Sequence, residues 1–229
     1  MSIFTIGDLH LSFYPGSDKA MDVFGHRWFN HHSRIEENWK SVVKSDDTVV
    51  IAGDISWGMR LDEALCDLEW IDALPGRKAV IKGNHDLWWT SIGRLNSMFE
   101  SIKFIQNDCY ETLEGIYICG TRGWITPDDD GFTEADEKVY KRELLRLEAS
   151  LKSAGEGEKL GFLHFPPAAG RSGYSGFMKL FEDYGVKNVY YGHIHGEDGF
   201  MGAIQGDYYG THYRLISADY LNCHLLKVR

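Results

Sequence analysis

Short apolar runs alternate with amphipathic helical patterns through the first half of the chain. Three of these runs predict buried strands, because each is a series of apolar residues followed at once by glycine. The three are IFTIG at 3–7, TVVIAG at 48–53 and KAVIKG at 78–83.

Two helices are predicted between these strands. Ser33 and Glu36 have the spacing of a capping box, so a helix is expected to start there and continue through IEENWKSVV. Asp62 is expected to cap a second helix, EALCDLEWIDAL, which stops at Pro75-Gly76. Strands separated by helices in this rhythm indicate parallel βαβ units.

The second half of the chain has more strands and two further helices. A long helix is expected after Thr133, and a shorter one at 176–185. The predicted strands lie at 103–106, 109–113, 116–120, 159–164, 186–193, 211–217 and 223–229. Two mixed sheets with outer helices accommodate this order, so we predict an α/β fold in a single domain covering 1–229.

Composition and charge limit the kinds of partner that the protein is expected to bind. Apolar residues make up 43% of the 229 positions, which is ample for a sizeable core. The formal net charge is -10, and the 24 Lys and Arg residues are scattered singly or in pairs. An acidic field repels nucleic acid unless one face is locally basic, so nucleic acid is not the expected partner.

The sequence also predicts a cellular location. None of the four cysteines forms a C-x-x-C pair, which is typical of a reducing compartment. The N-terminus lacks the basic region of a signal peptide, and no apolar run is long enough for a membrane span. We therefore expect a cytoplasmic protein without membrane contact.

Polar side chains collect where the predicted strands end. Five strand ends carry Asp, Asn or His, and four of them have glycine directly before the polar residue. Ligands in open α/β sheets bind outside the carboxyl ends of strands. The polar residues at these ends are Asp8, His10, Asp54, Asn84, His85, Asp86, His164, His193 and His195.

This set of side chains indicates a metal site. Asp8 and His10 are two residues apart, as are His193 and His195, so each pair shares one face of an extended chain. A mixture of carboxylate, amide and imidazole ligands suits Zn, Mn, Fe, Co or Ni. Two Asp, one Asn and four His are too many for one tetrahedral ion, and they suit two ions that share a bridging carboxylate.

The motifs D-x-H, G-D, G-N-H-D, H and G-H-x-H, in this order from Asp8 to His195, resemble the calcineurin-like metallophosphoesterase superfamily. The stretches GDISWGM, GNHDLWW and YGHIHG resemble a branch of bacterial predicted phosphohydrolases. The resemblance implies a four-layer α/β/β/α sandwich.

The resemblance also implies a role for each site residue. One metal would be held by Asp8, His10 and His195, and the other by Asn84, His164 and His193, with Asp54 as the bridge. His85 would face the substrate instead of a metal. Asp86 would hold the His85 ring in one tautomer.

The resemblance predicts a dinuclear, metal-dependent phosphoesterase. A metal-bridging hydroxide would attack a phosphate mono- or diester, and His85 would bind a phosphoryl oxygen or protonate the leaving group. Two divalent ions and two aspartates leave the rim with a charge of about +2, which attracts a small phosphoester.

Residues outside the motifs have open roles. Arg122 follows a strand, and we expect either a phosphate clamp or an ion pair there. If Arg122 is the only additional cation, diesterase activity should equal or exceed monoesterase activity. His26, His31 and His32 lie in FGHRWFNHH, for which we expect a solvated loop, with a pocket wall as the alternative.

Three other functions remain open. A nuclease of the same fold is disfavoured by the absence of a basic track. A protein Ser/Thr phosphatase is disfavoured because no long insertion would form a peptide groove. A non-catalytic metal-binding scaffold would be expected to have lost ligands or His85, and all of these residues are present. The oligomeric state and the native metals are not predicted.

Overall fold

The structure is a computed structural model that describes residues 1–171 and 173–229. Its strands are β1 Ile3–Ile6, β2 Thr48–Ala52, β3 Arg77–Ile81, β4 Ile102–Ile105, β5 Cys109–Glu111, β6 Tyr117–Thr121, β7 Lys159–Leu163, β8 Asn188–Tyr191, β9 Gly206–Tyr208, β10 Thr211–Leu215 and β11 Leu226–Lys227. Its helices are α1 His31–Val42, α2 Leu61–Ala73, α3 Ile92–Leu95, α4 Glu134–Ser153, α5 Gly176–Asp183 and α6 Gly196–Gly202.

The strands form two mixed sheets. The first sheet has the order β11-β1-β2-β3-β4, and the second has the order β5-β6-β7-β8-β10-β9. In both sheets the central strands are parallel, and antiparallel strands lie at edges: β11 in the first, β5 and β9 in the second. Helices flank the two sheets, so the α/β prediction is confirmed.

Three hydrophobic clusters hold the layers together. One lies between the two sheets and includes Val50 and Ala52 of β2 with Phe162 of β7. Val49 and Ile51, on the opposite face of β2, belong to the cluster that packs against α1 and α2. Both faces of β2 are therefore buried, which explains its uninterrupted apolar sequence. The third cluster joins the second sheet to α4 and α5.

The two sheets are also connected at the edge where β1 ends. Gly7 donates its N–H to the carbonyl of Ile216 at 2.8 Å and accepts from the N–H of Ala218 at 3.0 Å. These backbone bonds fix the end of β1 relative to the end of β10. The loops that follow the two sheets therefore meet at one edge of the molecule.

Two predicted helix starts are wrong, the first by three residues and the second by two. The first helix begins at His31 after Asn30, so Ser33 lies inside it and forms no capping box. The second begins at Leu61 after Arg60, so Asp62 lies in its first turn. The predicted cap at Thr133 is confirmed, because the N–H of Thr133 donates to the Asp136 carboxylate at 3.0 Å. No helix in the described part of the chain is long and apolar enough to cross a bilayer.

Candidate metal centre

The predicted site residues meet at the edge formed by strand ends. Asp8 and His10 follow β1, Asp54 follows β2, and Asn84 follows β3. From the second sheet, His164 follows β7, and the pair His193 and His195 follows β8. The structure therefore brings together all seven residues that the sequence proposed as ligands.

The backbone at this edge is unusual. The φ angles are +59° at Asp8, +45° at His10, +48° at Asp54 and +71° at His193. Non-glycine residues rarely adopt this left-handed region, and each instance costs on the order of 1–3 kcal/mol. Four strained residues in one small cluster indicate that side-chain placement has been favoured over local stability.

Two glycines leave space for the carboxylates. A Cβ atom at Gly83 would overlap the backbone N and the carboxylate of Asp54, and one at Gly192 would overlap the carboxylate of Asp8. Each of these two glycines therefore allows another strand end to approach closely.

The first cluster consists of Asp8, His10 and His195. The Nε2 atoms of His10 and His195 face each other at 3.4 Å, and Asp8 Oδ1 is 3.6 Å from His195 Nε2. Asp8 and His10 are buried. Burial lowers the pKa of His10 to about 4, so its imidazole is neutral at pH 7 and carries a free electron pair.

The second cluster surrounds His164. Its Nδ1 lies 3.1 Å from the carbonyl of Ala52, and its Nε2 faces Asn84 Oδ1 at 2.7 Å, His193 Nδ1 at 3.3 Å and Asp54 Oδ2 at 3.4 Å. Burial lowers the pKa of His193 to about 4.

Asp54 lies between the two clusters. Its Oδ2 is 3.9 Å from His10 Nε2 as well as 3.4 Å from His164 Nε2. Its Oδ1 accepts the N–H of His85 at 2.8 Å. Burial opposes ionisation of Asp54, but the neighbouring His164 and His10 outweigh it and hold the pKa of the carboxyl below its usual range.

The arrangement fits two divalent cations. One proton on His164 Nε2 can serve only one of the three acceptors around it, whereas a divalent cation can accept electron pairs from every one of these atoms. The ligand atoms of Asp8, His10 and His195 lie within 4.8 Å of one another, and so do those of Asp54, His164 and His193. The ligand assignment itself stays a prediction.

Asp219 is a site residue that sequence reasoning missed. Its Oδ1 is 2.9 Å from His195 Nδ1, and its Oδ2 accepts the N–H of Gly196 at 3.1 Å. Burial opposes charge on His195, but the charge of Asp8 and hydrogen bonds to Asp219 and Asp8 raise its pKa to about 10. Asp219 comes four residues after β10, so the strand-end rule that found the other residues could have found it.

The predicted role of Asp86 is wrong. Its carboxylate is fully buried and accepts from the N–H groups of Ile55 and Gly83 and from the indole of Trp88. Burial raises its pKa to about 6. Asp86 therefore fixes the backbone on either side of the site and does not orient the ring of His85.

The His85 ring instead packs against an aromatic neighbour. Its centroid is 4.4 Å from that of Trp57, whose indole also stacks on His10 at 4.8 Å. His85 Nε2 is 4.0 Å from Asp54 Oδ2, and the side chain is 44% exposed. Within 1–171 and 173–229, this ring makes no hydrogen bond.

Arg122 forms an ion pair instead of a phosphate clamp. Its Nη2 is 3.3 Å from Glu143 Oε1, and its guanidinium lies 4.5 Å from the centre of the Trp124 ring. Its side chain is mostly buried and does not line the cavity at the metal centre. Its backbone carbonyl accepts from the N–H of His164, so the backbone of Arg122 helps to fix the position of His164.

The segment at 21–28 forms a wall of the cavity, so the prediction of a solvated loop is wrong there. Two 3₁₀ turns, Met21–Phe24 and His26–Trp28, lie beside the clusters. His31 is buried and its Nε2 is 3.0 Å from the carbonyl of Leu9, which fixes the segment against the loop after β1. The cavity has a volume of about 690 Å³.

Two face-to-face mixed sheets with paired His and Asp clusters at one edge define a metallophosphoesterase domain. The family model for calcineurin-like phosphoesterases matches residues 1–197, and the chain belongs to this family. Asp219 lies outside the matched residues.

Two further similarities are more limited. The gene 66 protein of Mycobacterium phage L5 is 48% identical over 56 residues, which are 24% of this chain and 27% of that protein. The chain thus matches about a quarter of that relative. The crystal structure of AQ665, a protein of unknown function from Aquifex aeolicus, matches with a TM-score of 0.52 and 16% identity. The match covers 99% of this chain and 95% of that one, and it shows a shared fold.

Proposed function

We propose that the protein hydrolyses a small phosphate mono- or diester with two divalent transition-metal ions. The observation that carries this proposal is the position of Asp54 between two His-containing clusters, within 3.9 Å of a ring nitrogen in each. When bound, two such cations lower the pKa of a water molecule and neutralise phosphoryl oxygens.

The protein supplies the ligands and the second reacting group. Asp8, His10 and His195 would hold one ion, Asn84, His164 and His193 would hold the other, and Asp54 would be the shared ligand. His85 lines the cavity, its ring makes no hydrogen bond to any residue that the structure describes, and it would donate a proton to the leaving alkoxide or bind a phosphoryl oxygen.

A small phosphoester is a better substrate than nucleic acid. The chain has a net charge of -10, and Arg27 is the only Lys or Arg among the described residues that line the cavity. Polynucleotide binding depends on neutralising several phosphates in a row.

The unpaired state of all four cysteines agrees with the expected cytoplasmic location.

Metal analysis and hydrolysis assays test the proposal together. Protein purified without chelator should contain close to two transition-metal ions per chain by elemental analysis. With Mn²⁺ added, it should hydrolyse p-nitrophenyl phosphate or bis-p-nitrophenyl phosphate. We expect Asp54→Asn to lose both ions and His10→Ala to lose mainly one.

Two results would contradict the proposal. A metal content of one or zero that added Mn²⁺ or Zn²⁺ does not restore would exclude the dinuclear centre. Full metal content without hydrolysis of either ester would favour a non-catalytic scaffold.

A further inference from the structure

The cavity is larger than a phosphoryl group requires. Its volume of about 690 Å³ lies within the range of about 300–1,000 Å³ that is typical of sites for drug-sized ligands. Only five of the residues that line it are candidate ligands or the neighbouring histidine, namely His10, Asp54, His85, His193 and His195. The remaining space is available to the alcohol portion of a phosphoester.

The wall around this space is aromatic. Trp28 and Trp57 line it, together with Phe24, whose side chain is 67% exposed. Trp28 is buried and contacts the His195 ring edge-on at 5.4 Å, so it is fixed relative to the first cluster. Such faces suit a flat or apolar carbon skeleton.

Arg27 places a positive charge on the same wall. Its Nη1 donates to the carbonyl of Asp219 at 3.3 Å, and its guanidinium carbon lies 5.6 Å from the centre of the Phe200 ring. Its own carbonyl accepts from Arg34 Nη1 at 2.8 Å. The side chain is therefore held in position by the protein before any ligand binds.

Neighbouring acids leave most of this charge available. Both carboxylate oxygens of Asp219 are engaged by His195 and Gly196, and Arg27 contacts only its backbone. Glu197 Oε1 is 3.6 Å from Arg27 Nη2, but Glu197 is 77% exposed, and exposed ion pairs are weak. The buried Nε of Arg27 has no hydrogen-bonding partner in the described residues.

We propose that Arg27 binds a second anionic group on the alcohol portion of the substrate. This proposal rests on the phosphoesterase function proposed above. Asp219 lies between Arg27 and His195, so the guanidinium is set back from the metal ligands and reaches a group other than the scissile phosphoryl. The carbon skeleton between the two anionic groups lies against Phe24 and Trp28.

Matched aryl phosphates test this specificity. We would compare kcat/KM for 4-methylphenyl phosphate with kcat/KM for two analogues in which a carboxymethyl or a phosphonomethyl group replaces the 4-methyl group. The same comparison would be made with the methyl diester of each compound. The three phenols are leaving groups of similar acidity, and the two anionic arms separate a carboxylate from a phosphate-like group. We expect a preference of about tenfold or more for at least one anionic ester, the scale of a charged hydrogen bond.

Variants test whether Arg27 causes the preference for anionic esters. Arg27→Gln should remove it by losing rate on the anionic esters, and Arg27→Lys should retain part of it. Arg94→Gln, which changes an exposed arginine away from the cavity, should keep the full preference. Inhibition of the unaltered protein by 4-(carboxymethyl)benzylphosphonate should be about tenfold stronger than by 4-methylbenzylphosphonate.

The outcomes separate the two proposals. Two results would overturn the anionic subsite and leave the phosphoesterase intact. One is equal rates on neutral and anionic esters together with equal inhibition by the two phosphonates. The other is an equal loss of rate on all esters in Arg27→Gln. Failure of fully metal-loaded protein to cleave any of the esters would overturn the phosphoesterase and this subsite with it.

Discussion

At the residue scale, His85 is set apart from the other histidines of the site. It is 44% exposed, whereas His10 and His164 are buried with their ring nitrogens directed at other site residues. An exposed ring that shares the cavity with the clusters can approach a substrate without displacing a ligand. This placement agrees with the proposal that His85 transfers a proton and does not bind a metal.

His85→Asn should lower kcat by roughly a hundredfold or more, the usual scale for a positioned acid or base. It should leave the metal content nearly unchanged, because the His85 ring packs against the candidate ligand His10 only edge-on, and its Nε2 is 4.0 Å from Asp54 Oδ2. Steady-state kinetics and elemental analysis on one preparation check both parts. Loss of an ion in this variant would make His85 a ligand.

Trp57 is the next residue whose replacement is informative. Trp57→Ala removes the ring that packs on His85 at 4.4 Å, so we expect kcat to fall by about tenfold. Trp57→Phe keeps an aromatic face and should recover most of the rate.

The two Trp57 variants are interpreted from kcat and KM measured separately. A fall in kcat that Phe restores, with metal content unchanged, indicates that Trp57 positions His85. A change confined to KM would show instead that Trp57 only contacts the substrate.

At the element scale, a buried lysine joins β3 to α2. Lys78 is fully buried, and its Nζ donates to the carbonyls of Asp72 and Leu74 at the end of α2 and to Ser101 Oγ. Helix ends leave carbonyls without partners, and Lys78 satisfies two of them. Burial lowers the pKa of Lys78 to about 8.

Lys78→Met should destabilise the protein by about 1–3 kcal/mol, because two buried carbonyls lose their donor while the packing volume is retained. Equilibrium urea denaturation at pH 7 measures the change. The exposed lysine variant Lys40→Met is the control and should stay within about 0.5 kcal/mol of the unaltered protein.

The same variant has a pH signature. Between pH 8 and 10.5 the unfolded chain retains a proton on Lys78 that the folded chain releases, so this residue makes stability rise with pH in that window. Lys78→Met should lose that contribution to the slope. Identical pH slopes for the two proteins would show that Lys78 does not titrate in this range.

Elements also show how far the sequence could predict the structure. Apolar runs closed by glycine located β1, β2 and β3 within about a residue, because their burial on both faces leaves little ambiguity. The start of α1 was misplaced because Asn30, in a left-handed conformation, precedes it without a side-chain cap.

Residues of the candidate site that directly follow a strand could be predicted from the sequence. Roles that depend on tertiary contacts could not. Asp54 and His164 were identified from their positions after strands. The function of Asp86 was misassigned, because adjacency in sequence does not reveal that its carboxylate turns toward Ile55 and Trp88. Arg27 carried no sequence signal, since its wall consists of short 3₁₀ turns without a periodic pattern.

At the scale of the whole molecule, each cluster contains residues from both sheets. Asp8 and His10 of the first sheet meet His195 of the second, and Asp54 of the first meets His164 of the second. An ion bound to either cluster would therefore cross-link the two halves of the sandwich.

Metal binding should consequently raise the midpoint of thermal unfolding for the entire domain. At a free-ion concentration about 100 times the Kd, the expected stabilisation is about 2.7 kcal/mol per site. Calorimetry with Mn²⁺ and with a chelator measures it. A midpoint that is independent of metal in both the unaltered protein and Asp54→Asn would contradict cross-linking.

This stabilisation should weaken as the pH falls. The pKa of His195 is raised to about 10, so a metal must displace its proton, and each unit of pH decrease strengthens the competing proton. Metal titrations at pH 6, 7 and 8 should give affinities that increase with pH. Equal affinities would mean that His195 binds no ion.

The left-handed backbone at Asp8, His10, Asp54 and His193 has a consequence for laboratory evolution. Glycine adopts that conformation without strain, so replacing any of these residues by glycine relieves a local penalty and removes a candidate metal ligand. A library selected for heat resistance in the presence of a chelator should therefore accumulate inactive survivors with changes at this edge. Thermostable and active variants should emerge only when selection applies heat and turnover in the same round.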